Sequence, residues 1–306
     1  MSNPLLSIII PTRDRPHLLP RAVKSALEQT VDDLEVIVVD DNSAQPVNLP
    51  QEPRLRLLRL NTSRGGAGAR NVGTEAARGC WITYLDDDDR LLPYMAEVSL
   101  KALAETTLPS PVAVISGIEV VNAEGQVINK RLPPPVRLRG AHFSLEELEP
   151  GSSYNTKQTL VVEREVIHQI GGWDELFRSR VHSELFLRLN PACSILGVPI
   201  VTYQLYTYEG NRVSNNPILR QESFHRMIAK HQELFQAHPK MFANFVYEHA
   251  RMSYKLGQKG AALSSLFWAM RLDPLHTLAQ ITIPFKEKLH RYISSEHISK
   301  SNKYKF

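Results

Sequence analysis

Short apolar runs alternate with segments of helical spacing along the first half of the chain. The apolar runs end at polar or turn-forming residues, which is typical of buried strands, and the segments between them favour helices. Strands that alternate with helices form a mostly parallel sheet with helices on both faces. The predicted strands are Leu6–Ile10, Leu34–Val39, Leu55–Leu60, Trp81–Leu85 and Val112–Val121, and the predicted helices are Leu18–Leu27, Gly66–Ala77 and Pro93–Glu105.

The pattern changes in the second half of the chain. Beyond Val121 the sequence is less regular, and from about Pro217 onward its spacing is wholly helical. We therefore expect an α/β domain over residues 1–215 and an all-helical extension over residues 216–306. Within the irregular part we predict strands at Thr159–Val162 and Val198–Tyr208, a hairpin turn at Asn122–Gly125 and a short helix at His182–Asn190.

Polar residues follow three of the predicted strands at the point where each strand ends. The carboxyl ends of parallel strands share one edge of the sheet, which is where α/β proteins bind their ligands. We therefore expect a single site at this edge. It would be built from Pro11-Thr12-Arg13-Asp14, Asp40-Asp41-Asn42-Ser43 and the run of aspartates from Asp86 to Asp89.

The aspartate run carries the most chemical information. Carboxylates this close repel one another, so a cation or a hydrogen-bonded ligand is expected to compensate them. Hard divalent ions such as Mg²⁺ and Mn²⁺ bind one or two carboxylates together with phosphate oxygens. The alternative is a helix N-cap with surplus surface charge, which accounts for one or two aspartates and not for four. Many arginines precede the run, and guanidinium groups favour a phosphorylated ligand.

Composition narrows the class of protein without identifying it. The 306 residues are 42% hydrophobic and 22% charged, with a net charge of +4, a balance too weak to indicate a nucleic-acid partner. No apolar run approaches the roughly 20 residues that span a bilayer, and the N-terminus lacks the pattern of a signal peptide. The two cysteines, Cys80 and Cys193, indicate neither a disulfide framework nor a metal site. We expect a cytoplasmic protein.

Four motifs in a characteristic order resemble those of the family 2 glycosyltransferases. The resemblance covers about residues 5 to 210 and implies the GT-A fold, with nucleotide-sugar binding in residues 1–121 and the acceptor side in residues 122–215. The motifs are Ser7-Ile8-Ile9-Ile10-Pro11-Thr12-Arg13-Asp14-Arg15, Val38-Val39-Asp40-Asp41-Asn42-Ser43, Arg64-Gly65-Gly66-Ala67-Gly68-Ala69-Arg70-Asn71-Val72-Gly73 and Tyr84-Leu85-Asp86-Asp87-Asp88-Asp89.

The resemblance implies a role for each matching residue. Asp40 would accept the imino proton of uracil, so a UDP-sugar is the expected donor. Asp86 and Asp88 would form the DxD pair that holds Mn²⁺ or Mg²⁺, and the ion would stabilise the leaving diphosphate. The expected donor-binding residues are Pro11, Thr12, Arg13, Asp40, Asn42, Arg64, Arg70, Asn71, Asp86 and Asp87. Solvated surface charge is the alternative interpretation of Arg64 and Arg70.

The position of the expected catalytic base departs from the family's pattern. The family inverts the anomeric centre, and an aspartate before a Glu-Leu-x-Leu-Arg-Leu-like helix usually takes the acceptor proton. In this chain His182 occupies that position, and a histidine can serve as a base at neutral pH. Glu184, Asp174 and Glu175 are the other candidate bases for this hexosyl-type transfer. A structural role for His182, in a non-catalytic sugar-nucleotide sensor or scaffold, stays open.

Two further partners are suggested by the helical extension. Its Ala250, Tyr254, Gly257, Ala262, Ala269 and Pro274 match the spacing of one tetratricopeptide repeat, which would pack on its neighbours or on a second subunit to form a homodimer. The basic, aromatic end could contact the inner face of a membrane, where a lipid-linked acceptor would lie. The family also suggests a glycan acceptor in surface polysaccharide or lipopolysaccharide synthesis. A sugar-nucleotide pyrophosphorylase and a receiver domain fit the motifs poorly.

Overall fold

The computed structural model describes residues 3–207 and 216–282. The chain divides into two compact units between Ser223 and Phe224. The first unit is built on a ten-stranded sheet whose main path is β3-β2-β1-β4-β9-β6-β10-β5. Its strands are β1 (Leu6–Thr12), β2 (Leu34–Asp40), β3 (Leu55–Arg59), β4 (Trp81–Tyr84), β5 (Arg90–Leu91), β6 (Val112–Val121), β7 (Val127–Arg131), β8 (Val136–Arg137), β9 (Val161–Glu163) and β10 (Ser194–Tyr206).

The first four strands in the path are parallel, as the alternation of strands and helices predicts. β1 lies between β2 and β4, and every residue of β1 and β2 is buried. A strand covered on both faces must be apolar throughout, which explains the continuous runs in the sequence. In register, Thr12 pairs with Asp40, so β1 and β2 end together, whereas β4 ends opposite Ile9, three residues earlier, and leads into the aspartate run.

Beyond β4 the sheet contains both parallel and antiparallel strand pairs. β9 runs antiparallel to both β4 and β6, while β10 is parallel to β6. The hairpin turn predicted at Asn122–Gly125 joins β6 to β7. The strand predicted from Thr159 begins two residues later, because Lys157–Thr159 forms a short 3-10 helix. β9 spans three residues, too few for an alternation pattern to reveal its direction.

Helices cover both faces of the sheet, as predicted. α1 (Leu19–Leu27) and α3 (Met95–Glu105) pack on one face, and α2 (Gly65–Ala76), α4 (Arg164–Gln169) and α5 (Val181–Ala192) pack on the other. The small residues of α2 allow a close approach, since a Cβ added at Gly73 would lie 2.3 Å from Ile9 Cγ2.

The second unit is helical. Its helices are the end of α6 (Pro217–Lys230), α7 (Gln232–Ala237), α8 (Pro239–Lys255) and α9 (Lys259–Leu272), and residues 274–282 are helical too. Ala250, Ala262 and Ala269 are buried, whereas Tyr254 is exposed. The tetratricopeptide repeat stays a prediction, and the basic end of the chain lies outside the described residues. Among the described residues, no helix combines the length and apolar character that crossing a bilayer requires.

Candidate active site

The three polar strand ends meet at one edge of the sheet. The backbone N–H of Asp41 donates to the carbonyl of Thr12 over 2.9 Å, and the Thr12 hydroxyl donates to Asp87 over 2.7 Å. Between the loops that follow β1 and β2, Asp14 accepts from the N–H of Ala44 at 2.7 Å. These bonds join segments far apart in sequence, because parallel strands bring their carboxyl ends together. We call Thr12, Asp40 and Asp86 to Asp89 the aspartate edge.

Each carboxylate of the aspartate run has a partner in the protein, and two of them share Arg15. Arg70 pairs with Asp86, Arg15 reaches Asp87 at 2.9 Å and Asp88 at 3.1 Å, and the Tyr203 hydroxyl donates to Asp89 at 2.7 Å. Groups of the protein therefore compensate part of the charge that a bound cation or ligand is expected to compensate. Arginines and a tyrosine from distant elements hold the four carboxylates in fixed positions.

Burial and the neighbouring charges together determine the pKa values of these carboxyl groups. Burial raises the pKa of Asp87 to about 6, although Arg15 and the Thr12 hydroxyl act against it. Burial also raises the pKa of Asp89, and the charges of Asp88 and Asp86 add to that rise. Burial acts to raise the pKa of Asp86, but the positive charge and the hydrogen bond of Arg70, together with the charge of Arg15 and the effect of His182, lower it below its ordinary value. The cluster therefore contains carboxyls of unequal acidity within one edge.

Asp86, Asp88 and Asp89 offer oxygen atoms that all lie within 4.8 Å of one another. Three convergent carboxylates match the preference of Mg²⁺ and Mn²⁺ for hard oxygen ligands. The donor set therefore fits the predicted ion and extends the predicted pair, Asp86 and Asp88, by Asp89. No signal in the sequence distinguished Asp89 from Asp87, because only the fold determines which carboxyls converge.

Asp40 is fully buried at the end of β2. Its Oδ1 accepts the N–H of Ser43 at 2.8 Å, and its Oδ2 forms an ion pair with Arg59 at 3.3 Å but has no hydrogen bond. A buried acceptor normally has a donor partner, so Oδ2 retains the capacity to accept an N–H from a ligand that reaches it.

Other predicted donor residues lie around the aspartate edge but make different contacts. Pro11 is buried within β1, next to Thr12. Arg13 turns away, and its guanidinium donates to Ser63 at 2.7 Å. Asn42 follows β2 with a φ of 62°, which bends the chain at the strand end. Arg15 reaches the aspartates in place of Arg13.

Arg64 and Asn71 bind the turn that follows α4. Arg64 pairs with Glu175, and Asn71 both donates to the Trp173 carbonyl at 2.9 Å and accepts from the Trp173 N–H at 2.8 Å. Arg64 is exposed and forms an ion pair with Glu175, so both its donor role and its alternative as solvated surface charge stay predictions. Both residues fix the Gly172-Trp173-Asp174-Glu175 turn beside the start of α2. Arg70 lies next to them, with its guanidinium carbon 5.0 Å from the centroid of the Trp173 ring.

His182 stands at the beginning of α5, on the far side of the aspartate edge. Its ring meets that of Trp173 edge-on, with 5.0 Å between centroids. Burial, together with the positive charges of Arg70 and Lys157, lowers the pKa of His182 to about 3, although Asp86 acts in the opposite direction. The imidazole is therefore neutral at pH 7. We call residues 132–192 the α5 wall; they follow β7, end with α5 and include His182.

The other candidate bases are already engaged. Glu184 is buried and accepts two hydrogen bonds from Arg188, at 2.7 and 2.5 Å. Glu175 pairs with Arg64 and accepts from Asn71 at 2.9 Å, and these contacts lower its pKa. Asp174 accepts the N–H of Leu176 at 2.9 Å.

Several residues of the site carry no individual signal in the sequence. Asp41 accepts from the Arg64 and Gly65 N–H groups at 2.6 and 2.9 Å, so it fixes the start of α2. The Asp-Asp doublet after β2 would have been the signal for this cap. Arg15, Tyr203 and Lys157 are identified only by their contacts in the fold.

A family model described as glycosyl transferase family 2 matches residues 7–171 of the chain. An uncharacterized glycosyltransferase of Haemophilus influenzae is 27% identical over 60% of this chain and 62% of its own length. A β-1,3-glucosyltransferase of Campylobacter jejuni, named for the acceptor GalNAc(5)-diNAcBac-PP-undecaprenol, is 43% identical over 29% of this chain and 31% of its own length. The chain thus spans less than two thirds of the length of these relatives.

The fold also matches solved structures. The crystal structure of residues 1–349 of S. aureus TarS in complex with UDP-GlcNAc matches with a TM-score of 0.61 and 16% identity, over 91% of this chain and 83% of that one. The same TarS fragment in complex with UDP matches with a TM-score of 0.59. At this identity the likeness establishes the fold, which is the GT-A fold expected from the motifs.

Proposed function

This chain belongs to glycosyl transferase family 2, and we propose that it is an inverting, metal-dependent enzyme that uses a UDP-sugar as donor. The acceptor is a hydroxyl of a glycan or of a lipid-linked sugar. One observation carries the proposal: the convergent carboxylates of Asp86, Asp88 and Asp89 lie on the same sheet edge as the buried, hydrogen-bond-accepting Asp40. A nucleoside diphosphate needs both features, one for its base and one for its phosphates.

Asp40 supports uracil over cytosine. A carboxylate accepts hydrogen bonds and donates none, so its Oδ2, which has an ion pair with Arg59 but no hydrogen bond, suits the imino N–H of uracil. Cytosine has no proton at the equivalent ring nitrogen, and its lone pair would face the carboxylate. UDP is therefore expected to bind more tightly than CDP, and a comparison with GDP, whose guanine also carries a ring N–H, separates the pyrimidine from the purine.

The carboxylates of Asp86, Asp88 and Asp89 would hold Mn²⁺ or Mg²⁺. Such an ion, when bound, neutralises charge that develops on the leaving diphosphate. Arg15 now pairs with Asp87 and Asp88, and Arg70 pairs with Asp86. Both guanidinium groups therefore lie at the edge where phosphate oxygens would bind. The N–H groups of a guanidinium match the geometry of phosphate oxygens.

His182 is our candidate for the group that accepts the proton of the acceptor hydroxyl. It is neutral at pH 7 and faces the charges of Asp86 and Arg70 across the site. A pKa of about 3 describes a weak base, but the negative charge of a bound diphosphate would raise it. Glu184, Glu175 and Asp174 are poorer candidates, since their carboxylates are already hydrogen-bonded.

The biological setting is proposed from the relatives. The glucosyltransferase of Campylobacter jejuni is named for an undecaprenol-linked acceptor, and other relatives are named for succinoglycan and O-antigen biosynthesis. By analogy, we place this chain in the synthesis of a surface polysaccharide or lipopolysaccharide on the cytoplasmic side of the membrane. Contact with that membrane through the basic end, and dimerisation through the helical unit, remain parts of this proposal.

Calorimetric binding of UDP, GDP, CDP and ADP, each with and without Mn²⁺, tests the donor assignment. We expect UDP to bind most tightly and to require the ion, and Asp88→Ala to lose about 100-fold or more of that affinity. Asp32→Ala is the matched control, because Asp32 is an exposed aspartate outside the site. Equal binding of UDP by the wild type and Asp88→Ala would overturn the metal assignment.

A non-catalytic sugar-nucleotide-binding protein is the second candidate. The engaged carboxylates of the α5 wall and the weakly basic His182 favour it. His182→Ala separates the two candidates, because an enzyme that uses this base retains UDP binding and loses UDP-sugar turnover. Turnover that survives the change removes His182 as the base and keeps the enzyme, whereas a wild type that binds UDP and turns over no UDP-sugar supports the second candidate.

A further inference from the structure

Lys157 is a buried cation within the α5 wall. Its side chain belongs to the short 3-10 helix that precedes β9, and the residue is 6% exposed. The ammonium group donates to the Tyr154 carbonyl at 2.6 Å and lies 5.3 Å from the centroid of the Phe143 ring and 5.8 Å from that of Tyr154. Within the described ranges 3–207 and 216–282, Lys157 forms no ion pair with a carboxylate.

The fold places Lys157 beside the candidate active site. Val161 of β9 pairs with Thr83 of β4, and the two strands are antiparallel. The chain before Val161 therefore runs along the direction in which β4 leads to the aspartates. The positive charge of Lys157 also acts on the imidazole of His182, at the beginning of α5.

The surroundings of Lys157 make its charge unfavourable in the free protein. Burial and the neighbouring positive charge of Arg180 lower the pKa of Lys157 to about 7. A carbonyl and two aromatic faces satisfy only part of the ammonium group, and no carboxylate compensates the charge. Burying a charge without a counter-charge costs stability, so the packing of the protein does not explain a lysine here.

We propose that Lys157 is an anion-binding residue of the active site and that the anion it binds is a phosphate group of a substrate. This inference rests on the proposed function. The phosphate has two sources in that reaction: the β-phosphate of the donor and a phosphate of a lipid-linked acceptor. Both present the same oxyanion chemistry to the ammonium group. Arg180, which is in the left-handed conformation (φ 60°) directly before α5, adds a second positive charge on the same side.

Binding measurements on Lys157→Met test the inference. Methionine keeps an unbranched chain of similar length and removes the charge. Lys157→Arg keeps the charge, and Lys130→Met is the matched control because Lys130 is exposed on β7. The ligands are UDP, UMP, inorganic pyrophosphate and inorganic phosphate, each with Mn²⁺, and the readout is calorimetric affinity.

Two results support the inference and identify the source of the phosphate. If Lys157 binds the donor, Lys157→Met weakens UDP about tenfold or more and leaves UMP unchanged, because UMP lacks the β-phosphate. If it binds the acceptor, UDP affinity is unchanged, but UDP-saturated wild type binds inorganic phosphate and the variant does not. In both cases Lys157→Arg restores at least part of the binding and Lys130→Met behaves like the wild type.

Two results overturn the inference. One is a Lys157→Met variant that binds UDP, pyrophosphate and phosphate as the wild type does. The other is a uniform loss for UDP and UMP together with a lowered melting temperature, which would show a merely structural role. Wild-type protein that binds pyrophosphate through Lys157 but no nucleotide would defeat the proposed function and leave this inference standing. Wild-type protein that binds none of the four ligands would defeat both.

Proton uptake gives a second readout that does not depend on turnover. A bound phosphate favours the charged ammonium group, so Lys157 takes up protons on binding at about pH 8. Calorimetry of wild type in buffers of different ionisation enthalpy should detect the uptake, and Lys157→Met should show less of it. The other titratable groups near this position are Arg180, the neutral His182 and, across the Tyr154 ring, Arg137 with its partner Glu149. They are common to both proteins.

Discussion

The aspartate edge and the α5 wall differ in how their buried charges are paired. At the edge, carboxylates that follow parallel strands are held by arginines from other elements, such as Arg15 and Arg70. In the wall, two arginine–glutamate pairs join residues at most 12 positions apart, Arg188 with Glu184 and Arg137 with Glu149 at 2.7 Å. We therefore expect the charges of the edge to serve ligand binding and these two pairs of the wall to serve structure.

This difference explains which side can be recognised from sequence. The edge depends on the sheet, whose register places Thr12 beside Asp40 and whose parallel strands β1, β2 and β4 bring their carboxyl ends to one side. Short motifs after buried strands are enough to predict it. The wall depends on pairs of side chains in an irregular segment, where no periodicity shows which residues meet. The predictions below test this contrast, in order of decreasing expected effect.

Arg188→Met tests the structural role of charge in the wall. The change removes the Arg188 ion pair of the buried Glu184 carboxylate, so we expect unfolding in urea to require about 3–5 kcal/mol less free energy. Arg251→Met is the control, because the Arg251–Glu248 pair is exposed and should contribute at most about 1 kcal/mol. Equal losses of unfolding free energy in the two variants would show that the buried Arg188–Glu184 pair stabilises the protein no more than the exposed Arg251–Glu248 pair.

Asp40→Asn tests the ligand role of charge at the edge. The amide replaces one accepting oxygen with a donor, so we expect UDP affinity to fall about 100-fold and the preference for UDP over CDP to shrink. The ratio of the two affinities, measured in the same protein, is the internal control for folding. An unchanged ratio would mean that Asp40 does not contact the base.

Gly73→Ala tests how closely α2 packs on β1 and β2, the strands that end at the aspartate edge. An added Cβ would lie 2.3 Å from Ile9 Cγ2 and 3.3 Å from Val39 Cγ2, so α2 must shift on β1. We expect a loss of about 1–3 kcal/mol in the free energy of unfolding. Gly260→Ala in α9 is the control, since a Cβ there meets nothing within 4 Å. A loss at Gly73 no larger than at Gly260 would argue against this close packing.

The stability of the wall should depend on pH through Lys157. Folded protein releases the Lys157 proton at about pH 7, whereas an unfolded chain keeps it until about pH 10.4. Between these values the unfolded state binds more protons, so stability rises with pH by up to about 1.4 kcal/mol per unit. Below pH 7 the cost of the buried charge is fully present. Urea unfolding across this range should show the slope in wild type and a smaller slope in Lys157→Met.

The sequence predicted the strands, the helices on both faces and the convergence of Thr12, Asp40 and the aspartates. It did not predict which arginine reaches the aspartates, because that depends on a turn. Asp14 has a φ of 53°, which bends the chain after β1 so that Arg13 meets Ser63 and Arg15 returns to the edge. Nor did it single out Lys157, because burial of a lysine follows from packing by distant residues and leaves no periodic trace.

The contact between Asn71 and the turn after α4 limits which substitutions these two segments tolerate. The Asn71 amide donates to and accepts from the backbone of Trp173, much as a neighbouring strand would. Gly172 has a φ of 68°, and a Cβ there would lie 2.7 Å from Asn71 Oδ1. A larger residue at either position therefore requires a change at the other. Substitutions at these two sites should be inherited together, although 101 residues of chain separate them.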